Sequence, residues 1–364
     1  MSFLEGLRII VGLELRQRVR GVAWYVLLGI FVLLVAIVTV LVGVVARSSY
    51  LGESDTGGWL YSLIIYFVLL LGTLIAPALS GNAVNGERES GTLATMQVTL
   101  VSSAQIVLGK FVAAWIATLA FLVASTPFLL ISSAFGGLAP VTVLASLLVL
   151  ALELGVIAAI GVGLSAILSR PLFSIVVSYL AVAALSLGTL IAFGLGGVAV
   201  QSEVRSTTIS PVYDGSDGSD GSDGSDGSYD EKQTFTCGPP TTTTYSTPRF
   251  DLFWPILSAN PYVVLADVTP GQFDSDGNPQ DLFTTIGSGV RSTQIAPELS
   301  RQYDYCTDSG SRQYKTSEEI YASTVPSWFV GLALHLVLAA GALAWGIART
   351  KTPARKLAAG SRVA

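Results

Sequence analysis

Charge and titratable chemistry are scarce in this 364-residue chain. Charged residues make up 12% of it, roughly half the share of an ordinary soluble domain, so it lacks the polar surface that a water-soluble fold presents. It has one histidine and two cysteines, Cys237 and Cys306. Structural zinc sites usually draw four closely spaced Cys and His ligands, so no metal site is expected. No G-x-x-x-x-G-K-[ST] run occurs anywhere, which removes the backbone cradle that holds nucleotide phosphates. The chain is therefore expected to be no enzyme and to hold no cofactor of its own. The strict alternation of a lipid-facing barrel strand is missing too.

What is abundant is apolar sequence. Hydrophobic residues form 51% of the chain and the mean hydropathy is +0.62. They come in six blocks, at about 22–45, 59–80, 108–133, 140–168, 172–200 and 326–348. A membrane span needs ~20 apolar residues, and in lipid every backbone polar group must be paired internally, so each block is expected to be a helix. The fold class read from the sequence is an all-α integral membrane protein. It has six transmembrane helices, an N-terminal interfacial helix, and a large external segment between helices five and six. Pro127 predicts a kink in the third helix, and Ser169-Arg170-Pro171 predicts a tight turn between the fourth and fifth.

Charge reports sidedness. Arg8, Arg16, Arg18 and Arg20 precede the first block, Arg88 and Lys110 flank the second loop, and Arg170 sits in the fourth. Arg349, Lys351, Arg355, Lys356 and Arg362 follow the last block. The positive-inside rule places both termini in the cytoplasm of a multi-pass cell-membrane protein; this distribution gives no reason to expect nucleic acid as a partner. Residues 1–21 put Phe3, Leu4, Leu7, Val11 and Leu15 on one side of a helical wheel and Glu5, Arg8 and Arg16 on another, the pattern of a helix lying in the cytoplasmic interface. Residues 22–200 hold the first five helices with a cytoplasmic loop at 82–107, residues 326–348 the sixth, and residues 349–364 a basic tail.

Residues 201–325 form the external segment. Its linker, 214–228, is built on GSDGSDGSDGSDGS, a composition that reads as a solvated spacer. The stretch RFDLFWPILSANPYVVLADV, 249–268, fits either a short helix dipping into the outer interface or the core of a small soluble subdomain. Cys237 and Cys306 both fall in this segment, outside the cytoplasm, where thiols oxidise, so a disulfide is expected between them.

The loop after the second block reads AVNGERESGTLATMQVTLVSSAQIVLGK. Glu87 and Glu89 suit a helix N-terminus, Leu93 and Met96 recur at near-helical spacing, and Ser102 and Ser103 can cap the helix that follows. The run G-E-R-E-S-G-T-L, followed by G-K at the start of a span, resembles the permease subunits of ABC-2 type transporters. In that family such a stretch forms a short coupling helix seated in a groove of the nucleotide-binding subunit. Glu87, Arg88, Glu89, Gly91, Thr92 and Leu93 match the pattern. Where the family often has a proline before the third span and a basic residue after it, this chain has Leu100-Val101-Ser102-Ser103. The resemblance implies a transmembrane permease subunit of an exporter, paired with a second identical or related permease subunit. It also implies a separate ATP-binding subunit that holds ATP and magnesium.

Ionisable residues inside the blocks are few. Glu153 lies in the fourth and His335 in the sixth. Such groups are functional candidates by default, and Glu153 is the candidate to line a translocation path; His335 reads more simply as a hydrogen-bonded packing residue. Two other classes remain. An ATP-independent secondary transporter normally needs more midplane charge. A membrane-anchored protein would bind partners through its extracytoplasmic segment.

Overall fold

The computed structural model describes residues 2–48, 56–89, 102–133, 135–136, 138–213, 235–306 and 315–350. Helices hold 73% of the described residues, so they set the architecture. They run α1 (Phe3–Arg20), α2 (Val22–Ser48), α3 (Thr56–Ser80), α4 (Asn85–Glu89), α5 (Ser103–Ser133), α6 (Pro140–Ile167), α7 (Pro171–Ala183) and α8 (Thr189–Ala199). A π-helical turn, Ala184–Gly188, joins α7 to α8. Six spans along these helices and the last one are long and apolar enough to cross a membrane, and the chain is a membrane protein. The expected blocks match them to within five residues at every end, except that the second span runs on through α4 to Glu89. The apolar outer faces agree, since Val22, Val40, Leu41, Leu172 and Val337 are all exposed, and a surface of that kind belongs in lipid.

Local chemistry sets the ends. Ser2 and Glu5 form a capping box on α1. Pro140 and Pro171 occupy the first turns of α6 and α7, where no donor is lost, which gives the expected tight turn at 168–170. Helix α5 runs without interruption through Pro127.

The segment after α8 adds strands: β1 (Gln201–Ile209), β2 (Pro211–Tyr213), β3 (Phe235–Cys237), β4 (Thr241–Pro248) and β5 (Ser300–Asp304). Strand β1 pairs antiparallel with β4 and parallel with β5, giving the order β4-β1-β5, while β2 pairs with β3. The expected disulfide is present, Cys237 to Cys306, with Cα atoms 5.7 Å apart. Four helices complete the chain: α9 (Trp254–Leu257), α10 (Pro261–Val268), α11 (Leu282–Ser292) and α12 (Ser317–Ser323), before α13 (Trp328–Thr350).

Two large cores hold the bundle. One gathers Tyr61, Ile64, Leu69, Phe121, Leu150 and Leu154 with Val264, Leu265 and Phe283. Val264, Leu265 and Ala266 of the stretch 249–268 therefore share the bundle core, while Leu257 and Val263 join Val290 in a small cluster against Phe193. The other joins Ile10, Val84, Ile106, Ala159, Ala166 and Leu343. Small residues let α6 and α13 approach closely, since a Cβ built on Gly163 would lie 2.6 Å from the Ala342 carbonyl. Asp267 pins the top of α13. It pairs with Arg291 at 2.6 Å and accepts hydrogen bonds from the Ser327 and Trp328 amides, which satisfies helix-terminal donors. The Arg291 guanidinium also lies 3.6 Å from the centre of the Tyr321 ring.

Candidate functional site

The root of the 82–107 loop is a densely bonded polar region of the bundle. Helix α3 ends at Ser80, a turn spans 81–84, and α4 supplies Glu87, Arg88 and Glu89. The Val84 and Asn85 amides donate to Ser165 Oγ at 3.0 and 3.1 Å, so a side chain of α6 satisfies donors at the start of α4. Arg88 donates to the Ala166 and Leu168 carbonyls at 3.1 and 3.0 Å and to Asn85 Oδ1 at 3.2 Å. Those carbonyls are orphans of the α6 C-terminus, where a cation is favoured by the helix dipole.

Glu87 pairs with Lys110 at 2.7 Å, and Lys110 also bonds Glu14 of α1. Lys110 is only 1% exposed. An ammonium so buried requires carboxylate partners, because the desolvation cost of an isolated charge is several kcal/mol or more. Arg18 donates to the Leu79 carbonyl at 3.2 Å, at the end of α3. Burial lowers the Arg18 guanidinium from its ordinary value, and the nearby Glu14 raises it. Gln105 binds the Phe3 carbonyl at 3.1 Å while capping α5 together with Ser102, as the sequence suggested for Ser102. One polar collar thus ties α1, α3, α4, α5 and α6 around the loop root.

The predicted coupling residues divide. Glu87 and Arg88 face inward and bind their own chain, whereas Glu89 is exposed. Gly91, Thr92 and Leu93, with Met96, lie outside the described residues. On α1 the buried face is Gly6, Ile10 and Glu14, set against α5 at Gln105 and Gly109. The apolar stripe of Phe3, Leu4, Leu7, Val11 and Leu15 stays exposed or half-buried, open to an interface. Glu14 and Lys110 carry the collar and were missed as a pair, since 96 residues separate them.

The two residues that the sequence singled out inside the spans, Glu153 and His335, meet. His335 Nδ1 lies 2.9 Å from Glu153 Oε1, and Nε2 lies 2.9 Å from the Ala259 carbonyl. Glu153 is buried between α6 and α13 and does not line the apolar groove beside α3. That groove, of about 830 Å³, runs between α3 and the α7–π–α8 helix, walled by Tyr66, Leu70, Thr73, Tyr179, Leu187 and Tyr262. At its upper end Asn260 donates to the Ser186 carbonyl at 2.7 Å and to Thr189 Oγ1 at 2.9 Å, where the π-turn shifts the backbone bonding to Thr189 N–H on Ala184 O. Among the described residues no group of three or more His, Cys, Asp or Glu is placed to hold a metal ion. No family model, curated protein or solved structure matches this chain.

Proposed function

We propose that the chain is the transmembrane subunit of an ATP-binding-cassette transporter of the ABC-2 type, working as an exporter. A second permease subunit would pair with it, and separate ATP-binding subunits would hold ATP and magnesium. Its six spans would cross the cell membrane with both termini in the cytoplasm, and residues 201–325 would lie outside.

One observation carries this reading above the others. The loop that resembles a coupling helix springs from a root bolted to five helices through Lys110, Arg88, Ser165 and Arg18. A force applied at such a loop is delivered to the helices rather than absorbed by a slack connector. Glu87 and Arg88 then position the lever from inside, and exposed Glu89 is the charge left to meet a partner. The tyrosine-lined groove between α3 and α7–α8 is the wall this subunit offers to a cargo path. The scarcity of charge in the spans counts against ion-coupled secondary transport.

The test is purification of the full chain from native membranes in mild detergent. An ATPase should be retained in stable stoichiometry. Glu89→Arg should weaken its retention about tenfold, or ~1.4 kcal/mol, with unchanged thermal stability of the bundle. Purification of the wild-type chain without ATPase activity, or full retention by the Glu89→Arg variant, overturns the respective part of the reading.

A further inference from the structure

The bonding of His335 fixes a proton count. The Ala259 carbonyl can only accept, so Nε2, 2.9 Å away, carries a hydrogen. Nδ1 faces Glu153 Oε1 at 2.9 Å, and that contact also needs a proton between its atoms. The proton sits on Nδ1, giving imidazolium and carboxylate, or on Oε1, giving neutral imidazole and carboxylic acid. Either way the pair is neutral overall. Withdrawing that proton leaves two lone pairs facing each other at a site where His335 is 0% and Glu153 1% exposed, a costly arrangement away from solvent.

We propose that Glu153 and His335 form a proton-binding site whose occupancy latches the Ser258–Asn260 turn, and through it α9 and α10, to α6 and α13. The turn is the connection through which Asn260 reaches the π-segment of the α7–α8 span. Gly331 of α13 packs directly beneath the Ser258 carbonyl. A proton at one buried pair therefore bears on the seat of α9 and α10 on the bundle.

Few other groups can answer for a pH effect here. The helices packed on α6 and α13 are α3, α5, α7 and α10, besides each other. Their cations and acids are Lys110, held by Glu14 and Glu87, and Asp267, held by Arg291, Ser327 and Trp328. Arg349 sits at the far end of α13. The tyrosine hydroxyls of α3 and α7 are bonded, Tyr61 to Ser146, Tyr66 to the Tyr262 carbonyl and Tyr179 to the Leu74 carbonyl, and Tyr262 on α10 stacks on Tyr66.

The sign follows from proton counting. A released pair, with pKa values near the usual ~4.3 and ~6.5, holds one extra proton between those values and none above. The latched pair holds one throughout. Latching is thus independent of pH between about 4.5 and 6.5, and weakens by up to about tenfold per pH unit above that.

Because the chain has a single histidine, imidazole ¹⁵N NMR of the full chain, purified in nanodiscs without a histidine tag, reads this site alone. The expected wild-type spectrum keeps the proton on Nε2 and shows no transition near pH 6.5, while thermal stability falls between pH 6.5 and 8.5. In Glu153→Gln the amide donates permanently to Nδ1, so the ring stays a neutral Nε2–H tautomer and the stability profile over that range becomes flat. A wild-type His335 that titrates near 6.5, or an equal pH slope in Glu153→Gln, overturns the proposal. Should the variant fail to fold, the wild-type spectrum decides alone.

Discussion

At the scale of single residues, the collar depends on Lys110. Its ammonium lies between Glu14 and Glu87 and is sealed from solvent. Lys110→Met keeps the bulk and removes the charge, leaving two carboxylates crowded at a buried site. It should destabilise the protein by about 3 kcal/mol, in the range for breaking a buried pair, seen as a lowered thermal midpoint in detergent. Adding Glu14→Gln should recover part of that loss, because one of the stranded charges is then gone. An unchanged midpoint in Lys110→Met would show the ion pair to be inert. The sequence marked Lys110 only as a span boundary and singled out Glu87 for another role. Each was visible as a scarce charge near an apolar block. Their pairing, like that of Glu153 with His335 across 182 positions, depends on helix packing, which a single sequence does not encode locally.

At the scale of elements, the spans were legible and the seams between them were not. Runs of apolar residues long enough for lipid fix existence and length, and the structure returns all six. Helix α1 shows the limit. Its apolar stripe points to an interface, yet the face that packs on α5 is Gly6-Ile10-Glu14, and a seam built on glycine leaves no hydropathy signal. A Cβ on Gly109 would lie 2.7 Å from Ile10 Cγ2, closer than real contacts allow. Gly109→Val should therefore cost about 1–3 kcal/mol through overpacking and expose the α1–α2 junction to protease. Ile10→Ala in the same chain should restore part of the protection, since it removes Cγ2 and leaves only the Ile10 Cβ, 2.9 Å from the added atom. If Gly109→Val leaves α1 as protected as in the wild type, α1 is not held by this seam. The π-turn was equally hidden, because it is tied to a side chain, Asn260, that arrives from 74 residues further along.

At the scale of the molecule, the segment between the fifth and sixth spans has two attachments of different kinds. Its helices α10 and α11 share the bundle core through Val264, Leu265 and Phe283, and Leu282 N–H reaches Ser62 Oγ at 3.1 Å. Its strands meet the bundle chiefly at the end of α8, where the Arg249 amide bonds the Gly197 and Val200 carbonyls. The disulfide closes the strand part, joining β3 to the turn after β5 across 69 positions. A cross-link of that span stabilises by roughly 2–4 kcal/mol, chiefly by restricting the unfolded chain. Replacing both cysteines by serine should therefore loosen β1–β5 and leave α10, α11 and the spans in place. Limited proteolysis should give new cuts between 201 and 248 and around 300–306, while 254–292 stays protected and the helical circular dichroism melts at an unchanged temperature. Cleavage that spread into α10 and α11 together with the strands would mean that the sheet, not the shared core, seats these helices on the bundle.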